Sequence, residues 1–270
     1  MTGGERARAV LAGAAAGLAG GLFGVGGGIV LVPMLTGLFR LTQHQAHGTS
    51  LVIVGATALA SLVVYGAHGN VAWSTAGTVG IVSVFTARYG ARWASRTTPN
   101  ALRRAFAIMV LAVALRLLWK SPSGSGPAVH GHGLEIGFNV LLGAAVGLLS
   151  GFMGVGGGLI AVPAFALVLG LPQPLAQGTS LGVILVTAPA GAIEHNRSGN
   201  VALRLAGWMS IGAVIGGPAA SWMAQKLPRE MLVRAFAVFL LLNAIHFWVR
   251  AGASGARPSN PGDPKDPAPS

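Results

Sequence analysis

Two glycine clusters are the part of this chain best equipped for chemistry. Gly24-Val25-Gly26-Gly27-Gly28 returns letter for letter as Gly154-Val155-Gly156-Gly157-Gly158, 130 residues later. Each cluster interrupts a long apolar run, Gly17–Pro33 and Gly147–Pro163. A glycine costs about 1 kcal/mol against alanine inside a helix, so four in five residues predict a break. A break frees backbone N–H groups. With the positive end of the next helix they form a cradle for an anion. The competing reading is close helix packing through small residues, which accounts for many other glycines, including Gly13, Gly143, Gly212 and Gly216.

Further polar groups follow each cluster. Thr49-Ser50 and Thr179-Ser180 read as the starts of the next helices. There they either serve as N-caps or add hydroxyls to the cradle. His47 and Gln177 stand at matching positions just before them, and both can donate to an oxyanion; a histidine is also the residue type able to change charge near neutral pH. The candidate binding residues are therefore Gly24, Gly26, Gly27, Gly28, His47, Thr49 and Ser50, with Gly154, Gly156, Gly157, Gly158, Gln177, Thr179 and Ser180. A nucleotide loop does not fit, because neither cluster ends in Gly-Lys-Ser/Thr or has an acid about 20 positions on. Asn70 and Asn200 read as turn residues. Glu194, His195 and His246 are rare ionisable groups in or beside apolar segments, and such groups are functional candidates. His130 and His132 lack neighbouring ligands. With no cysteine, disulfides, thiolate metal sites and cysteine nucleophiles are excluded. No paired carboxylates or Ser-His-Asp set appear, so neither an enzyme, a cofactor nor a metal is expected.

The elements that position these residues are apolar. Hydrophobic residues make up 53% of the 270 and charged residues 9%, against roughly 25% charged in soluble domains. Lipid is the expected solvent. The net charge of +12 comes from basic residues standing singly at the ends of apolar runs. That pattern orients a membrane protein and does not make a nucleic-acid surface. Eight apolar segments stand at 9–39, 48–66, 71–93, 101–119, 134–170, 178–195, 201–223 and 231–249. In lipid they must be helical. The start resembles a signal peptide, but the same pattern recurs mid-chain, which argues against cleavage.

The expected fold is an all-α polytopic membrane protein of two homologous four-segment repeats, 9–119 and 134–249. A flexible linker at 120–133 joins them, and a disordered tail covers 250–270. The repeat is read from pairs such as Gly48-Thr49-Ser50-Leu51 with Gly178-Thr179-Ser180-Leu181, and Gly69-Asn70 with Gly199-Asn200. Duplicated halves with a site between them are a recurring transporter plan. The 31-residue first segment would reach about 46 Å as one helix, more than a bilayer core of about 30 Å. It is either one broken helix or a hairpin, with Pro33 and Pro163 limiting the second arm. With four full crossings per half, 9 of the 18 Lys and Arg fall on the N-terminal side; with hairpins, 13 do. Positive charge inside favours inverted repeats with re-entrant first segments.

The duplicated Gly-x-x-x-Gly-x-x-Gly-Val-Gly-Gly-Gly, the proline five residues on and the following Ala-x-Gly-Thr-Ser resemble the TauE/SafE family of membrane permeases. Here these are Gly17, Gly21, Gly24 to Gly28, Pro33 and Ala46 to Ser50, then Gly147, Gly151, Gly154 to Gly158, Pro163 and Ala176 to Ser180. The resemblance implies a multi-pass bacterial inner-membrane transporter of sulfite, sulfonates or related anions. The residues themselves fit a secondary anion transporter, a passive anion channel, or a non-transporting membrane interaction protein. The partners expected are a small anion and the bilayer, with no nucleic acid. The sequence does not give the oligomeric state.

Overall fold

Four glycines in five residues end the first helix and start the second. A computed structural model describes residues 2–94, 99–119, 132–153 and 157–253. The first half runs α1 (Gly3–Phe23), α2 (Gly28–Gly37), α3 (Gln43–Ala67), α4 (Trp73–Ala94) and α5 (Pro99–Trp119). The second runs α6 (His132–Met153), α7 (Gly158–Leu167), α8 (Gln173–Arg197), α9 (Leu203–Lys226) and α10 (Arg229–Ala253). The described residues form helices and no strands. Among the described residues the eight apolar segments become ten helices: α1 and α2 part at residues 24–27, and α6 and α7 stand either side of residues 154–157.

Local chemistry moves several boundaries from those expected. α1 begins six residues early because Thr2 and Glu5 form a capping box. α3 begins at Gln43, where Thr42 and Gln45 do the same. Thr49 and Ser50 are therefore in the second turn and are not caps, and α8 places Thr179 and Ser180 likewise. Pro33 and Pro163 do not end their arms. Each lies inside its helix, which continues for four residues, because a proline removes only one bond to the preceding turn. Near the ends, α6 starts two residues inside the expected linker and α10 runs to Ala253, into the expected tail.

Close glycine contacts show the helix directions. On α1, Gly13, Gly17 and Gly21 lie against Met209, Ala213 and Gly217 of α9. The spacing of four holds on both helices, so α1 and α9 run parallel with touching backbones. Gly143 and Gly147 of α6 meet Val79 and Ser83 of α4 in the same way. α3 and α8 pass in opposite directions: Gly48 meets Asn200, Gly55 meets Ala188, and Gly178 meets Asn70. Glu5 and Arg8 from α1 share a surface pocket with Leu38–Leu41 of the α2–α3 turn. The chain therefore leaves one end of the molecule, turns at the glycines and comes back to that end. We call it the N-terminal face.

Two hydroxyls tie the halves together. Ala72 N–H, at the start of α4, donates to Thr179 Oγ1 at 3.0 Å; Ala202 N–H, at the start of α9, donates to Thr49 Oγ1 at 3.0 Å. Both threonines are buried. Thr179→Val leaves a helix-start N–H without its partner and is expected to cost about 1–3 kcal/mol, read as a lower thermal midpoint in detergent. Thr49→Val should match it. An unchanged midpoint in both would mean the ties carry no stability.

The exterior is apolar. Leu11, Val63, Phe85, Ile215 and Leu242 are each more than half exposed, far more apolar surface than a soluble monomer shows. By length and composition α3 and α8 are able to cross a bilayer.

Candidate functional site

The two glycine breaks meet at the centre of the molecule. A Cβ on Gly158 would lie 3.0 Å from Val25 Cα and 2.5 Å from Ile184 Cδ1. One on Gly26 would lie 2.7 Å from Val54 Cγ1, with Ile184 Cδ1 also near. Val54 and Ile184 sit midway along α3 and α8, so both breaks rest on the crossing of these helices. Phe23, at the tip of α1, stacks on Phe239 of α10 with ring centroids 4.5 Å apart, which anchors the first break to the other half.

The backbone at the first break is one only glycine adopts freely. Gly24, Gly26 and Gly27 have φ of 69°, 69° and 80°. Gly27 and Gly157, which precede α2 and α7, supply no side-chain cap. In α2 the Val30 N–H already donates to the Gly27 carbonyl; the remaining first-turn N–H groups of both helices are left to other acceptors, and the helix dipoles favour a negative one. The two breaks differ in conformation: Gly27 is left-handed, but Gly157 has φ −59°.

A cavity of about 400 Å³ reaches both breaks from the side of His47 and His195. Its floor is Val25, Gly157 and Gly158. Its polar lining is Ser83, Ser150, Thr187, Arg88, His47, Glu194 and His195. Among the described residues of this lining Arg88 is the one arginine or lysine and Glu194 the one acid.

The matching position in the other half is shut. Tyr65, the counterpart of His195 at the 130-residue offset, is fully buried. Its hydroxyl makes a shared bond to Gln177 Oε1 (3.0 Å) and the Gly21 carbonyl (3.1 Å). Ser221 also donates to Gly21 O. Gln177 is the counterpart of His47; its Nε2 is buried without a partner, and its Cα would meet a Cβ on Gly24 at 2.6 Å.

The predicted residues thus separate into groups. Gly157, Gly158 and His47 line the cavity, and His47 Nε2 lies 3.1 Å from Gln43 Nε2. Gly24, Gly26, Gly27 and Gly28 form the first break and are buried. Ser180 donates to the Gly158 carbonyl at 3.4 Å and holds α8 to the second break; Ser50 turns back to His47 O at 2.8 Å. Thr49 and Thr179 are occupied by the ties between the halves, and Gln177 belongs to the sealed side. Gly154 and Gly156 lie outside the described residues. Sequence reasoning missed Arg88, Ser83, Ser150, Thr187 and Tyr65. A signal was present for two of them, since Arg88 pairs with Pro218 and Tyr65 with His195 at the repeat offset. Departures from a repeat mark where its two copies do different work.

Comparison with known proteins supplies the family. The sequence profile of the family described as "Sulfite exporter TauE/SafE" matches residues 2–117 and 139–269. The chain belongs to the TauE/SafE family. Its members are membrane transporters and not enzymes, so this TauE/SafE chain is membrane-embedded. It is 28% identical over 257 residues to a "Probable membrane transporter protein YunE" of Bacillus subtilis, covering 86% of this chain and 93% of the relative. It is 28% identical over 250 residues to a "Probable membrane transporter protein" of Xylella fastidiosa, covering 90% and 94%. A relative from Methanocaldococcus jannaschii, "Probable membrane transporter protein MJ0441", is 29% identical over 192 residues, covering 69% and 70%. No solved structure matches the chain.

Proposed function

We propose that this TauE/SafE chain is a secondary transporter of small sulfur-containing oxyanions, sulfite or organosulfonates, in the bacterial inner membrane. The observation that carries the reading is the cavity running from Arg88 and His47 to the touching glycine breaks. An anion entering it meets a guanidinium first and then Val25 of the first break and the uncapped start of α7. Backbone N–H groups there replace its hydration without a buried counter-charge. The sulfur-oxyanion class comes from the family description.

The same reading makes the halves inverted repeats. α3 and α8 are homologous, span-length and antiparallel, and α1–α2 returns to its own face. This matches the hairpin arrangement, for which the sequence count assigns 13 of the 18 Lys and Arg to the N-terminal side; positive-inside orientation makes that side cytoplasmic. Single cysteines near residues 40 and 68 should label from opposite sides of the membrane; labelling from one side would rule the topology out.

The functional test is flux in proteoliposomes of sulfite, sulfate, sulfoacetate and taurine. Saturable flux with counterflow of one anion supports the carrier. Flux that neither saturates nor exchanges makes the protein a channel. With the protein folded and no anion moving, an interaction role replaces both. Arg88→Gln should raise the KM for the cargo about tenfold with maximal rate little changed, because it removes attraction shared by the whole entry path. An unchanged KM would take the cavity out of the transport route.

A further inference from the structure

We propose that a second pocket, at the N-terminal ends of α1 and α9, binds the headgroup of an anionic phospholipid. The pocket holds about 500 Å³. Three elements distant in sequence bring one arginine each: Arg8 from α1, Arg40 from the α2–α3 turn and Arg204 from α9. Glu5 is the one acid among the described residues lining it. Basic pockets between helices at a membrane surface suit lipid phosphates, and a guanidinium matches a phosphate by geometry as well as charge.

Comparison of the halves shows that this charge is no by-product of the fold. At the repeat offset the three arginines become Phe138, Gly170 and Ser74. Arg40 and Gly170 share the same backbone, with φ of 53° and 64°. Among the described residues Arg40 is the one non-glycine with positive φ. The second half uses the glycine this turn calls for; the first holds a strained arginine there instead. A strained residue retained beside two further arginines points to a ligand.

The surroundings distinguish a lipid from a free phosphate. Two exposed apolar stripes leave the pocket along parallel helices. Leu11 and Leu18 continue from Arg8 down α1 at helical spacing, and Leu203, Ile211 and Ile215 do so down α9. Acyl chains attached to a headgroup in the pocket would lie along these stripes. A free anion would have no use for them.

Native mass spectrometry of the delipidated full chain, with phosphatidylglycerol or phosphatidylcholine added, tests this. Phosphatidylglycerol should be retained and phosphatidylcholine should not. Arg8→Gln, Arg40→Gly and Arg204→Gln should each weaken phosphatidylglycerol binding about fivefold. Arg116→Gln, an exposed arginine outside the pocket, should leave it unchanged. Arg40→Gly should also raise the thermal midpoint without lipid, since glycine relaxes the turn; weaker binding in that variant then does not come from misfolding. Equal retention of both lipids, or unchanged binding in the triple variant, overturns the proposal. Displacement of phosphatidylglycerol by an equal concentration of glycerol 3-phosphate also overturns it, in favour of a free-phosphate site. The measurement reads binding alone, so a chain that moves no anion leaves the proposal standing.

Discussion

Gly157→Ala should stop transport while leaving the protein as stable as before. Gly157 has φ −59°, which alanine adopts freely. A Cβ there would find Ser150 Oγ at 3.7 Å and Val146 Cγ1 at 3.9 Å, ordinary contacts. The described state therefore accepts alanine. Its counterpart Gly27 has φ 80°, and a Cβ there would collide with the Ala16 carbonyl. If the two halves exchange conformations during transport, Gly157 must adopt the geometry of Gly27. Alanine in a left-handed backbone costs roughly 1–2 kcal/mol, and the carbonyl collision adds to that. The variant would be held with its cavity open on one side. Anion flux in liposomes beside a thermal melt makes the test. Normal flux would show that the breaks do not exchange; a lowered midpoint would make Gly157 a packing residue only. Gly27→Ala is the contrast, expected to fail in folding because its present geometry excludes a side chain. Gly26→Leu should abolish flux, since the space beside it already holds Val54.

The second large effect concerns the sealed side. Thr57 and Thr187 occupy equivalent positions in the halves. Each hydroxyl bonds to the carbonyl four residues back, so cysteine replaces either one conservatively. Thr187 lines the cavity and Thr57 is fully buried. The chain has no cysteine of its own, so single-cysteine labelling is clean. Thr187→Cys should react readily with a membrane-impermeant thiol reagent, and Thr57→Cys should resist it. Adding Tyr65→Phe should raise the Thr57→Cys rate about 5- to 150-fold. Losing the hydroxyl leaves the buried Gln177 Oε1 without its donor, a cost of about 1–3 kcal/mol, and a shift of that size changes a minor population by that factor. Equal labelling of the two cysteines at the outset would remove the sealed-side reading. An unmoved Thr57→Cys rate would mean that something other than Tyr65 closes this half.

What the sequence alone determined is local. Four glycines in five residues cannot propagate a helix, so the breaks at residues 24–28 were legible. The repeat, the apolar segments and the family follow from the same letters. Helix starts were misread where a capping box lay outside the apolar run, as with Thr2 and Thr42. Which contacts join the halves was not legible. A duplicated sequence presents the same surfaces twice and does not say which copy packs on which. Only the tertiary structure sets α1 beside α9, commits Thr49 and Thr179 to ties between halves, and brings Val25 onto Gly158. It alone chooses the open side. The two breaks have the same letters, yet Gly27 and Gly157 differ in φ. Glycine holds both conformations at little cost, so the difference is set by the packing around each break and not by its letters.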